Sequence, residues 1–212
     1  MMKFPGAEVG DSLAAALNAE LGEGSPQLFM APQERPGTLA FMSDGRSKVN
    51  VITGNDAYAL SFVRDGWGWA HGATQDKRLV AEAARAWLAG TRLEEMAARW
   101  PFVNYSELQL AYERGDELET QWRIVRRDGA ELYRDVVELA AENPVVRGFF
   151  PGVGHNLLFM RHAFTHDIVA SVVFHRPGQF RLHVPGHPGP LAEGDPATVI
   201  AKLADLLDSL EG

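Results

Sequence analysis

Residues 38–73 read TLAFMSDGRSKVNVITGNDAYALSFVRDGWGWAHGA. Apolar residues recur here with a period of two. Val49 and Val51 alternate with Lys48 and Asn50, and Leu39 to Met42, Tyr58 to Val63 and Gly66 to Ala70 form further short apolar runs. Asp44-Gly45, Gly54-Asn55-Asp56 and Asp65-Gly66 separate the runs. Strands joined by such short turns predict an antiparallel meander. Trp67 and Trp69 lie two apart, so an extended run would point both at one face.

On the N-terminal side, Val9, Leu13, Ala16, Leu17 and Leu21 predict a helix over 8–21, stopped at Gly22, and Gln27 to Ala31 reads as a short strand. After the meander, Thr74 is the expected N-cap of a strong helix with Leu79, Val80, Ala83, Ala84, Trp87 and Leu88 on one face. Further helices are predicted over 92–99, 106–114, 117–127 and 130–142, with Trp100 to Val103 as an extended link. Phe149 to Asn156 reads as a turn. Strands resume over 156–163, and 170–176 and 179–184 form a hairpin around Pro177-Gly178. Val199, Ile200, Leu203, Leu206, Leu207 and Leu210 place a last helix at 196–210. Helices and strands in segregated runs predict α+β, with antiparallel sheet from 27–73 and 156–185 packed against a central helical block and a C-terminal helix. The expected organisation is one domain over 1–212, with sub-halves 1–142 and 143–212 as the alternative.

The chain has 212 residues, 46% apolar and 23% charged, the composition of a globular protein with ample length for a core. No run is apolar enough to span a membrane, and the N-terminus shows no leader segment. The absence of cysteine excludes disulfides and thiolate chemistry and fits a cytoplasmic setting. The formal charge is −8, and the densest basic group is Arg123, Arg126 and Arg127 beside Asp116, Glu117 and Glu119. That spacing reads as a solvated helix face, so no nucleic-acid partner is expected.

A set of short signatures occurs in a particular order. Gly72-Ala-Thr74 leads to Trp87 and Gly90, then Trp100-Pro-Phe-Val103, then Ala111-Tyr-Glu113-Arg-Gly115 and Trp122. Asn143-Pro-Val-Val-Arg147-Gly-Phe-Phe150-Pro151 follows, with His155 and Leu158 after it. In these features the chain resembles the actinobacterial natural product biosynthesis family, domain-of-unknown-function family 6193, over roughly residues 38–190. Where that family carries a serine, this chain has Gly154, and the following strand reads Leu158-Phe-Met160-Arg-His162. The resemblance implies a place in a biosynthetic gene cluster and supplies no catalytic residue or cofactor.

Six of the seven histidines fall between Asn143 and Pro190, at His155, His162, His166, His175, His183 and His187. Their spacing matches no metal motif; a two-residue hairpin turn would put His175 on the apolar face with Val173 and Leu182, and His183 on the other. No metal and no cofactor is therefore expected. The acid–base candidate is His155, presented by a glycine-rich turn, with Arg161, His162 and Arg147 as a positive environment for a carboxylate. Trp67, Trp69, Arg147, Phe150 and His183 are the ligand-binding candidates. Three functions follow as expectations. The first is an accessory protein of bacterial natural product biosynthesis that binds a pathway peptide, a small-molecule intermediate or a partner enzyme, as a monomer or a dimer. The second is a cofactor-independent enzyme using a histidine as acid or base. The third is an immunity-type or scaffolding module without chemistry.

Overall fold

A computed structural model describes residues 12–22, 24–35, 37–54, 56–129, 131–154, 157–161 and 167–211. The fold is α+β, with eight α-helices and two five-stranded antiparallel sheets among these residues. The chain divides into two compact units, 1–113 and 114–212. The division falls ahead of the expected 142/143 boundary, so the long helices over 117–142 belong with the second set of strands.

In the first unit, α1 (Leu13–Ala19) is capped by Ser12, whose hydroxyl accepts the Ala15 N–H at 3.1 Å. The meander is β1 (Leu39–Ser43), β2 (Ser47–Thr53), β3 (Tyr58–Arg64) and β4 (Trp67–Thr74), with the order expected from its turns. Asp65 and Gly66 close the β3–β4 hairpin at φ 51° and 81°, the left-handed pair that a two-residue turn needs to match strand twist. Residues 27–31 supply only an isolated bridge, Met30 to Phe41. Ala40, Met42, Val49, Val51, Leu60, Phe62 and Ala70 are buried beneath α2 (Lys77–Leu88), which contributes Val80, Ala83, Ala84, Trp87 and Leu88. The cap of α2 is Asp76 rather than Thr74: its carboxylate accepts the Arg78 and Leu79 N–H groups, while Thr74 ends β4. After α3 (Leu93–Arg99), the expected link supplies a two-residue strand, β5 (Val103–Asn104), which pairs with β4. The helix α4 (Glu107–Arg114) follows it.

The second unit begins with α5 (Glu117–Asp128), a 3₁₀ turn at Glu131–Tyr133, α6 (Arg134–Glu142) and the four-residue α7 (Pro144–Arg147). Its sheet is a meander of β6 (Phe150–Gly154), β7 (Leu157–Arg161), β8 (Ile168–Arg176), β9 (Gln179–His183) and β10 (Ala192–Gly194). The passage expected to be a turn before His155 is thus mostly strand. Pro151 and the glycines disguise it in the sequence, and an edge strand tolerates them. Leu158, Met160, Ala170, Val172, Phe180 and Leu182 face the core, against α6 and Val199, Ile200, Leu203 and Leu207 of α8 (Pro196–Glu211). No helix among the described residues is long and apolar enough to cross a membrane.

Candidate functional site

The densest basic group of the sequence, Arg123, Arg126 and Arg127, lies along α5. Its inward residues, Trp122 and Val125, join the core of the second unit. Arg123, Arg126 and Arg127 flank that inward row. A fourth arginine arrives from α7. Asn143 ends α6 and then accepts the Val145 and Val146 N–H groups through Oδ1, at 3.0 and 3.1 Å. Pro144, with no N–H to lose and φ already helical, opens the short helix. One turn later Arg147 lies beside α5, where the buried Trp122 indole donates to its carbonyl at 3.0 Å. Gln121 donates to the Pro151 carbonyl at 2.9 Å and ties the same helix to β6.

Trp122, Ala141, Glu119 and the four arginines line a cleft of about 400 Å³. Its charges are organised by local partners. Arg147 pairs with Glu119 and Arg126 with Glu138. Arg127 pairs with Asp128 at 2.8 Å, and Arg123 donates to the Thr120 hydroxyl at 3.3 Å. The hydrogen bond to Glu138 and the charge of that carboxylate push the Arg126 guanidinium further above its usual value. The hydrogen bond from Arg127 holds Asp128 below the ordinary carboxylate range. These pairs are partly exposed, so each is weak and exchanges readily for another anion. Guanidinium groups present forked donors that match carboxylate and phosphate oxygens. The cleft presents four such groups, three of them paired with carboxylates. The spacing of Arg123, Arg126 and Arg127 fits a solvated face equally well. What distinguishes the cleft is Arg147, placed by the Asn143-Pro144 cap twenty residues on.

The remaining candidates are scattered. Trp67 and Trp69 lie in the first unit, and a β-bulge between the pairs Phe62–Ala70 and Val63–Gly68 interrupts their alternation. Trp69 packs against the core and donates to the Arg64 carbonyl at 3.1 Å, whereas Trp67 is 64% exposed. The two indoles therefore do not share the one face expected of an unbroken strand. In the second unit Phe150 is buried opposite Arg161, whose guanidinium sits 4.8 Å from the Phe159 ring centre. His183 pairs with Ser171 across β8 and β9. The reading of His175 is corrected. Val172, Phe174, Phe180 and Leu182 share the core side of that hairpin, and a bulge follows Phe174. His175 therefore sides with Arg181, its Nε2 3.2 Å from Nη2 of Arg181 and 3.8 Å from Glu193. His155, His162 and His166 lie outside the described residues. Among the described residues no group of three or more His, Asp or Glu side chains is placed to hold a metal ion.

Comparison with known proteins finds no matching family model, curated protein or solved structure.

Proposed function

We propose that this chain is an accessory protein of bacterial natural product biosynthesis that binds an anionic pathway ligand, and that the cleft between α5 and α7 receives the ligand's negative charge. The observation that carries this reading is the convergence of four guanidinium groups on one cleft in a chain of net charge −8. A local basic site on an acidic molecule draws anions to one place instead of coating the whole surface with them. The order of the short signatures supports the biosynthetic setting.

The test is a native mass spectrum of freshly purified protein, followed by calorimetric titration with pyrophosphate, citrate and a short acidic peptide. Co-purified anionic mass, or binding that falls about tenfold in the R126Q,R147Q double variant, is expected. A clean apo mass, together with no binding of any of the three probes, would overturn the proposal.

A further inference from the structure

The Arg147–Glu119 pair lines two clefts. One is the arginine-lined space. The other is a second cleft of about 610 Å³, lined by Asp116, Glu117, Leu118, Glu119, Pro144 and Arg147 among others. The two spaces share Glu119 and Arg147 and carry opposite charge. The second contains three carboxylates against one guanidinium; the first contains four guanidinium groups against one carboxylate. Glu117 adds a further sign that the acidic cleft wants a donor. Its Oε2 is closed off from solvent and has no hydrogen-bond partner among the described residues. A buried carboxylate oxygen without a donor is costly, and a cationic ligand group close by relieves that cost.

Resting on the anion-binding reading above, we infer that the ligand is dipolar: it carries a carboxylate or phosphate and an ammonium or guanidinium group, and it binds by exchanging the Arg147–Glu119 pair for two pairs of its own. The ligand anion takes Arg147 in the arginine-lined cleft, and the ligand cation takes Glu119 in the acidic one. Opening the internal pair costs little, because both side chains are more than half exposed, at 53% and 66%. An anion alone leaves Glu119 without its partner beside two other carboxylates. A cation alone leaves Arg147 among three other arginines. Only a ligand with both charges restores the balance in each cleft. This selects for a dipolar group without a deep pocket. The chemistry is shared by a polypeptide segment with adjacent acidic and basic side chains and by a free ω-amino acid.

The experiment compares four probes on the full chain by calorimetry. They are acetyl-Glu-Lys-amide, acetyl-Glu-Gln-amide, acetyl-Gln-Lys-amide and δ-aminovalerate. The dipolar dipeptide is expected to bind about tenfold more tightly than either singly charged one, the worth of one charge-assisted hydrogen bond. In E119Q the preference disappears, because the acidic dipeptide binds better once Arg147 is released. In R147Q both fall together. Thermal melts establish that each variant is folded, and E119Q, which removes only an exposed carboxylate, carries the test if R147Q is not. Tighter binding of the dipeptide than of δ-aminovalerate identifies a polypeptide source, and the reverse a small molecule. Equal binding of the dipolar and acidic dipeptides overturns this inference and leaves a simple anion site. Failure of every probe, with pyrophosphate and citrate also inert, overturns the anion site as well.

Discussion

Several residues of the ordered signatures have clear structural duties. Gly72 pairs with Val103 across β4 and β5, and a Cβ at Gly72 would lie 2.5 Å from the Phe102 carbonyl oxygen. The glycine of the first signature is therefore required by the backbone of the second, thirty residues on. We expect G72A to force these strands apart and to cost about 1–3 kcal/mol in denaturant unfolding; an unchanged midpoint would show that the contact is slack. Glu113 likewise accepts the Leu93 N–H at 3.1 Å, capping α3, where Arg92 makes no side-chain cap bond. Such duties were not legible in the sequence, because neither partner betrays the contact by its spacing. Tyr133 is another case. It reads as an unremarked aromatic, but it is fully buried, and its hydroxyl accepts the Phe174 N–H at 3.2 Å. Burial raises its phenol above the ordinary value. The stability linked to the neutral phenol is thus fully present below about pH 10 and is lost as pH rises through the folded value. Y133F leaves the Phe174 N–H without its acceptor and should cost about 1 kcal/mol at neutral pH. The gap from wild type should narrow in alkaline solution, as measured by chemical denaturation across pH. A constant gap would mean that the hydroxyl does not titrate with folding.

Among the elements, strands and helices with one clean face were read from the sequence with their approximate limits. Elements at the sheet margins were missed. β6 carries Pro151, Gly152 and Gly154, β5 has two residues and β10 three. Their identity comes from a neighbour's free edge, and no periodicity can accumulate over so few residues. The bulges at Trp69 and after Phe174 are equally silent, yet they decide which way Trp67, Trp69 and His175 point. The candidate site depends on one such short element. α7 exists because Asn143 caps it, and it carries Arg147 to the cleft. N143A should therefore have two effects. Loss of the cap lowers stability by about 1 kcal/mol. Fraying of α7 weakens binding of pyrophosphate or an acidic peptide several-fold, although Asn143 does not line the cleft. Titration of the folded variant checks this. Undiminished binding would show that the Trp122 bond to the Arg147 carbonyl is enough to hold the arginine in place.

At the scale of the molecule, the sequence reading reached α+β with two strand regions and a C-terminal helix, and left open whether those regions form one sheet. Among the described residues two sheets form, each packed on its own cluster of buried side chains. Hydrophobic period alone could not show this, because it says which face is buried but not against what. The charge distribution adds a consequence for acid stability. Among the described residues, the carboxyls held below their ordinary range are Asp128, Glu193 and Asp195, and all belong to residues 114–212. Arg127 lowers the first through its hydrogen bond, and Arg181 lowers the second in the same way, at 2.8 Å. Asp195 is lowered by the backbone N–H of Thr198, which it accepts at 2.8 Å beside the start of α8. A depressed folded value means that the stabilisation is complete above the unfolded carboxyl value of about 4 and is lost as pH falls through the folded one. The acid sensitivity traceable to these carboxyls should therefore appear in the second unit, in NMR signals of β8, β9 and α8. D195N isolates the third contribution. Asparagine caps a helix about as well as aspartate but cannot titrate. The variant should be less stable than wild type at neutral pH and should approach it as pH drops below about 4. A deficit that persists unchanged into acid would assign the loss to cap geometry instead of charge.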